Sequence, residues 1–159
     1  EGKLSLAVRA VLGLGYVGAL LVYVFFPSIL AWAAFGLPSW LRWIGAGVTA
    51  AALLLLAWVQ WSLGKNFNTT LHLREEHTLV VGGPYRWVRH PMYTALFLLG
   101  VGFLSLTANW FVGVPLIVAL PVIVALRVDN EETMMVEQFG DEYLGYMQRT
   151  GRFLPRLHA

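Results

Sequence analysis

The sequence predicts an all-α integral membrane protein, a bundle of four transmembrane helices with a cytoplasmic loop and a C-terminal helical tail. Apolar residues make up 58% of its 159 residues, and charged residues only 13%, well below the roughly 25% of a typical soluble domain. The mean hydropathy is +0.65. Two long stretches, residues 10–41 and 91–126, carry no charged residue. A chain of this length is expected to form one membrane domain, residues 1–159.

The first two predicted spans are residues 10–30 and 41–62, each long enough to cross a hydrocarbon core of about 30 Å as a helix. Tryptophans near both ends of the second span indicate aromatic belts at the two membrane–water interfaces. Within the first span, residues 13–18 read GLGYVG and match the glycine pattern of dinucleotide-binding loops. No acidic residue follows before Glu75, as that fingerprint requires, so close helix packing explains these glycines better.

A long loop, residues 63–90, follows the second span and is predicted to be ordered against the bundle because it carries apolar residues. It leads into GGPYRWVRHPMY, residues 82–93, where Pro91 is placed to begin a helix and His90 to precede it. Arg86 and Arg89 stand three residues apart and would share a face in a helical turn. With the helix start they could bind an anion at the membrane boundary. Topology signals and headgroup contacts are the alternative for such arginines.

The uncharged stretch 91–126 is too long for one span. As a single helix it would measure about 54 Å, far more than the hydrocarbon core requires. The polar residues 107–109, Thr-Ala-Asn, therefore predict a tight helical hairpin with arms 91–106 and 110–127. Pro115 and Pro121 are expected to kink the second arm, and neighbouring helices can satisfy the carbonyls that they free.

The tail, residues 128–159, holds six of the nine acidic residues. The fourth helix is expected to continue past the bilayer, with Gly140 as its C-cap and Asp141 as the N-cap of a further short helix. Four spans place both termini and the loop on one side of the membrane. Ten of the eleven Lys and Arg residues then lie on that side, with only Arg42 opposite. The positive-inside rule makes it the cytoplasmic side.

Candidate site residues collect on the predicted cytoplasmic side. Arg127 can pair with Glu131 at i, i+4, whereas Glu131 and Glu132 point in different directions on a helix. From the charges alone, a solvated and mutually neutralising surface is an equally good interpretation. The histidine spacing fits no metal site, and the absence of cysteine excludes disulfides, thiolate metal sites and a cysteine nucleophile. The basic residues form no run that would indicate nucleic-acid binding.

Three segments resemble the isoprenylcysteine carboxyl methyltransferase family and its relatives, the phospholipid methyltransferases. They are LGKNFN, then HTLVVGGPYRWVRHPMYTALFLLGVG, then RVDNEE with FGDEYLGYMQRTGRFLP, and together they span about residues 63–155. The resemblance implies a membrane-embedded methyltransferase that uses S-adenosylmethionine, without a Rossmann domain, in a cleft at the cytoplasmic face. It also implies a lipophilic methyl acceptor, isoprenylated or of similar amphiphilic character.

The resemblance further implies which residues form the site. Around the cofactor it places His77, Leu79, Val80, Gly83, Tyr85, His90, Pro91, Tyr93, Glu131 and Glu132. Among the catalytic residues, we expect Glu132 to organise the active site and Arg127 and Arg152 to lie near the acceptor. Methyl transfer is an in-line displacement that depends on alignment and on desolvation of the nucleophile. A carboxylate acceptor is already ionised and needs no general base.

Three other functions stay open on the sequence. A non-catalytic membrane lipid-binding or scaffold bundle would keep the fold and bind no cofactor. A phospholipid N-methyltransferase-like enzyme would use the same cofactor on a headgroup amine. A membrane reductase related to sterol reductases would depend on a nicotinamide cofactor, and the tail motif argues against it.

Overall fold

A computed structural model describes residues 3–64 and 78–156, and nearly all of them are helical. The helices are α1 (Lys3–Phe25), α2 (Ser39–Leu63), α3 (Pro91–Thr107), α4 (Trp110–Phe139) and α5 (Asp141–Arg149). Short 3₁₀ segments lie at Pro27–Ala33 and Gly83–Arg86. Two isolated bridges are the only β pairing within the described ranges. The all-α prediction is confirmed to this extent.

Two helices, α2 and α4, are long and apolar enough to cross a membrane. The C-terminal part of α1 and the 3₁₀ segment after it make a third candidate, with a bend of 107° between them. α3 is a shorter apolar helix of 17 residues. The described residues therefore hold two or three candidate spans, and the count of four stays a prediction.

Glycines let α2, α3 and α4 approach one another closely. A Cβ added to Gly102 of α3 would lie 2.5 Å from the hydroxyl oxygen of Thr49 on α2. A Cβ on Gly113 of α4 would lie 2.4 Å from the Cα of Leu104 on α3, and one on Gly45 of α2 would lie 2.6 Å from an α3 backbone nitrogen. Between helices in lipid, close packing at small residues replaces the hydrophobic driving force.

A two-residue break, Ala108 and Asn109, separates α3 from α4. Ala108 takes a left-handed conformation with φ of 48°. Asn109 is 1% exposed; its side-chain oxygen accepts from Val112 N at 3.3 Å, and its Nδ2 donates to Leu30 O at 2.8 Å. One buried side chain therefore caps α4 and also forms a hydrogen bond to the 3₁₀ segment after α1. The break falls within the polar residues 107–109.

Gly140 forms the joint between α4 and α5. Its φ of 53° suits glycine, which has no Cβ to clash in the left-handed region. The prediction of Gly140 as the C-cap of α4 is confirmed. Asp141 was expected to be the N-cap of the next helix, but it is the first helical residue and Gly140 is the N-cap. The same glycine thus serves both helices, because no residue separates them.

We expect Gly102→Ala to lower the free energy of unfolding by about 1–3 kcal/mol, the usual cost of overpacking a tight contact. Gly47→Ala is the matched control, since nothing lies within 4 Å of its added Cβ. It should leave the stability unchanged or raise it, because alanine favours helix. Reversible unfolding in mixed detergent micelles measures both variants. Equal stability of the two would contradict the helix contact at Gly102.

Candidate active site at the start of α3

The segment before α3 is fixed against α2 and α5. Gly83 has a φ of 58°, and a Cβ there would lie 2.4 Å from the hydroxyl oxygen of Ser62 near the end of α2. On the other side, the Tyr146 hydroxyl of α5 donates to Tyr85 O at 2.6 Å. Burial raises the pKa of Tyr146, so the phenol keeps its proton and remains a donor. The 3₁₀ segment Gly83–Arg86 is therefore held from two directions.

The C-terminal strap, which we define as residues 151–153, pairs with the chain just before α3. Gly151 N donates to Trp87 O at 3.1 Å, and Arg89 N donates to Gly151 O at 2.9 Å. His90 N donates to Arg152 O at 3.0 Å. The strap thereby supplies backbone partners to residues that are neither helix nor sheet. It fixes the direction in which α3 begins.

Glu132 lies at the centre of a charged cluster. It is on α4, beyond the apolar part that ends at Leu126, and its side chain is 7% exposed. Arg89 Nε donates to its Oε1 at 2.9 Å, His90 Nε2 lies 3.2 Å from the same oxygen, and Arg152 Nη2 donates to its Oε2 at 2.6 Å. Burial raises the pKa of Glu132, but the bonds from these three groups hold the pKa well below its usual range. The carboxylate is ionised at neutral pH.

Arg89 joins three elements through one side chain. Besides its bond to Glu132, its Nη1 donates to Met147 O of α5 at 3.1 Å and to Thr150 O at 2.7 Å. An arginine engaged in this way belongs to the scaffold of the site. A planar guanidinium with several fixed donors suits such a junction better than a lysine would.

Arg86 and Arg89 do not share a face, because no helical turn includes both residues, which was the condition of the prediction. The guanidinium of Arg86 lies 3.8 Å from the ring centroid of Trp87, whereas Arg89 reaches Glu132. The physical reason is local. The 3₁₀ segment ends at Arg86 and α3 begins only at Pro91, so no continuous helix imposes the i, i+3 relationship between the two arginines.

Glu131 holds the second carboxylate of the site, and it points away from its neighbour, as expected. Arg127 Nε lies 3.3 Å from its Oε1, one helical turn earlier. The Tyr93 hydroxyl of α3 donates to the same oxygen at 2.8 Å. His90 stands between the two carboxylates, with Nδ1 3.8 Å from Glu131 and Nε2 3.2 Å from Glu132. Glu131 is the more exposed of the two.

Most of the predicted site residues come together in this cluster. The structure gathers His90, Pro91, Tyr93, Arg127, Glu131, Glu132 and Arg152 at the junction of α3, α4 and the strap. Leu79 and Val80 are half-buried in the segment that leads to α3, as are Gly83 and Tyr85, whose contacts reach α2 and α5. His77 lies outside the described residues.

Sequence reasoning missed two members of the cluster. The sequence marks Arg89 only as a basic residue near the helix start, and it assigns no role to Asp129. Arg152 Nη2 donates to Asp129 Oδ1 at 2.5 Å, and the Asp129 side chain is 76% exposed. The spacing of Asp129 and Glu132, three residues apart on a helix, places both on one face and could have indicated a shared partner. Within the described ranges, no group of three His or acidic residues could hold a metal ion.

The family model described as the isoprenylcysteine carboxyl methyltransferase family matches residues 38–137. Proteins named protein-S-isoprenylcysteine O-methyltransferase from mouse and from human are each 30% identical over 119 residues. Each alignment covers 74% of this chain and 42% of the relative. The protein of the same name from Dictyostelium discoideum is 24% identical over 149 residues, 86% of this chain and 55% of that protein.

Among solved structures, a eukaryotic intramembrane Ras methyltransferase, isoprenylcysteine carboxyl methyltransferase, has a similar fold. It aligns with a TM-score of 0.66 and 27% identity, over 98% of this chain and 53% of that chain. The present chain therefore spans about half of the length of these relatives. The matched family segment includes Arg89, His90, Tyr93, Glu131 and Glu132.

We expect Glu132→Gln to lower the free energy of unfolding by about 3 kcal/mol, because it leaves the Arg89 side chain, which is only 10% exposed, without its counter-ion. Asp129→Asn is the matched control, since it removes an exposed carboxylate from the same Arg152. That change should cost no more than about 1 kcal/mol. Chemical unfolding in detergent micelles, followed by helicity, measures both. Equal losses of unfolding free energy in the two variants would contradict the central place of Glu132.

The effect of Glu132→Gln should also depend on pH. The pKa of Glu132 is lowered in the folded protein, so the stability from its ionised form is complete above the ordinary glutamate value of about 4.3. It is lost as the pH falls through the lower, folded-state value. The stability difference between wild type and variant should not shrink from pH 8 to pH 6, where Glu132 stays ionised, and it should shrink in strong acid. A difference that shrank between pH 8 and pH 6 would contradict the assignment.

Proposed function

This chain belongs to the isoprenylcysteine carboxyl methyltransferase family, and we propose that it is a membrane methyltransferase that uses S-adenosylmethionine. One observation carries the proposal. At the end of a largely apolar helix bundle, two carboxylates lie on opposite sides of His90; Glu131 pairs with one arginine and Glu132 with two. Charges are expensive to place beside a lipid phase and are usually functional there.

The amino-acid end of S-adenosylmethionine carries an ammonium and a carboxylate, and the cluster offers partners for both. We assign the ammonium to Glu131, which the Tyr93 hydroxyl orients at 2.8 Å. The first backbone N–H groups of α3 lack partners within the helix and suit the carboxylate. Leu79, Val80 and Tyr85 suit the adenine as apolar walls. Assignment of His77, Gly83, His90 and Pro91 to the same site rests on the family resemblance.

The acceptor is proposed to be a lipophilic molecule with a free carboxylate, such as an isoprenylated cysteine. When bound, S-adenosylmethionine supplies an electrophilic methyl group for in-line displacement. Arg127 and Arg152 would hold the acceptor carboxylate, and Glu132 would position Arg152 through its bond of 2.6 Å. The apolar helices would exclude water, which desolvates the attacking oxygen. No proton needs to be moved, because the attacking oxygen is already ionised.

We also propose that the chain crosses the membrane four times, with α3 and α4 forming a hairpin and the site at the cytoplasmic face. The uncharged residues 91–126 and the dense charge from Arg127 onward support this arrangement. An acceptor with an isoprenoid tail could then enter from the bilayer while its carboxylate stays at the polar cluster. A headgroup amine, by contrast, must lose a proton before it attacks and would need a base.

Calorimetric titration with S-adenosylhomocysteine, with NADPH as comparison ligand, tests the cofactor. We expect micromolar binding of the first ligand alone. Binding of NADPH alone would favour a reductase, and binding of neither by folded protein would favour a lipid-binding scaffold.

Transfer of a labelled methyl group tests the acceptor. In proteoliposomes, S-farnesylcysteine should become methylated, whereas its carboxyl methyl ester should not, since the attacking oxygen is blocked. Phosphatidylethanolamine serves as the third acceptor. Methylation of this lipid instead of S-farnesylcysteine would overturn the proposed substrate class but would leave the assignment of the cofactor unchanged.

Tyr93→Phe should weaken the binding of S-adenosylhomocysteine by about tenfold, as loss of a hydrogen bond to a charged group typically does. Tyr23→Phe is the matched control. Its hydroxyl donates to Thr107 O at 3.0 Å, far along α3 from the charged cluster, so the affinity should be unchanged. Calorimetry reports both values. Equal affinities for the two variants would remove Glu131 from the cofactor site.

A further inference from the structure

A cationic and aromatic surface lies beside the charged cluster, at the C-terminal end of α2. We call it the Arg86 patch and define it as Arg86, Trp87, Trp58 and Trp61. The Arg86 guanidinium lies 3.8 Å from the ring centroid of Trp87. Trp87 in turn meets Trp58 edge to face, with 5.7 Å between ring centroids. Trp61, one turn further along α2, is 86% exposed.

Arg86 differs from the arginines of the active site in its partners. Arg89 and Arg152 are each paired with carboxylates. For Arg86, no carboxylate of residues 3–64 or 78–156 lies in ion-pair range, and the residue is exposed. Stacking on an indole ring holds its planar guanidinium by one face, so the N–H donors at the edge can bind a second partner. The donors thus form a prepared site for an oxyanion.

The position of the patch relative to α2 indicates where that oxyanion comes from. α2 is a candidate span that ends at Leu63, so Trp58 and Trp61 occupy its last two turns. Exposed indoles at the end of a span are typical of the headgroup layer, where the ring meets lipid and its N–H meets water. The close contact of Gly83 with Ser62 keeps Arg86 at this depth.

We propose that the Arg86 patch binds the phosphate of an anionic phospholipid. The guanidinium supplies the charge and a forked pair of donors, and the neighbouring indoles contact the glycerol region of the lipid. This site is independent of methyl transfer and uses no residue of the charged cluster. It is nevertheless connected to that cluster, because Trp87 O accepts the hydrogen bond from Gly151 of the strap at 3.1 Å.

The test measures binding of phosphatidylglycerol to the purified protein in neutral detergent, by native mass spectrometry and by thermal shift. Arg86→Gln should weaken phosphatidylglycerol binding about fivefold, the usual effect of removing one interfacial arginine. Added salt should reduce the difference between wild type and variant. Phosphatidylcholine, which carries no net charge, should bind equally to both proteins.

Arg149→Gln is the matched control. Arg149 is also exposed, and within the described ranges its Nε donates to one group, a backbone carbonyl one turn earlier on α5. If it weakens phosphatidylglycerol binding as much as Arg86→Gln, the effect is general electrostatic attraction and the specific site is wrong. If inorganic phosphate raises the melting temperature of the wild type as much as phosphatidylglycerol does, the patch is a site for free anions and the proposal is also overturned. Binding of S-adenosylhomocysteine should be the same in all three proteins.

Discussion

The ionised side chain of Glu132 is the constraint on which the rest of the site depends. A carboxylate that is almost fully buried is tolerated only if donors replace its lost hydration. Here the donors are Arg89 and His90, the two residues before α3, and Arg152 of the C-terminal strap. Satisfying one charge therefore requires the chain before α3, the helix α4 and the strap to meet. The same requirement orients His90 between the carboxylates and brings Tyr93 to Glu131, which leaves a compact polar site at the end of apolar helices.

Much of the helical structure could be predicted, because a lipid environment restricts which residues a membrane helix can contain. Long uncharged stretches, the position of Pro91 after His90, and the i, i+4 spacing of Arg127 and Glu131 each have a local structural meaning. The structure bears out the helical class, the N-terminal start of α3 and the Arg127–Glu131 pair. The residues of the charged cluster were found mostly through family resemblance, since spacing alone allowed an ordinary solvated surface.

The remaining features arise from contacts between residues far apart in the sequence. Arg89 bonds to Glu132, 43 residues away, and to Thr150, 61 residues away, and no periodicity in the sequence encodes either distance. The strap pairs with the chain before α3 through backbone atoms, so its side chains carry no signal of that pairing. The i, i+3 spacing of Arg86 and Arg89 has no structural meaning here, because the 3₁₀ segment ends at Arg86 and α3 begins only at Pro91. The prediction of Asp141 as the N-cap of α5 was wrong by one position, because Gly140 is both the C-cap of α4 and the N-cap of α5.

The most direct test of this account is a double-mutant cycle between Arg89 and Glu132 with the affinity for S-adenosylhomocysteine as the readout. The single variants Arg89→Gln and Glu132→Gln and the double variant would be compared with wild type by calorimetry. If the pair organises the site as a unit, the double variant binds no more weakly than the weaker single variant, because either change already removes the pair. If the losses of binding free energy in the two single variants add up in the double variant, the two residues act separately. That result would contradict the central place of their ion pair.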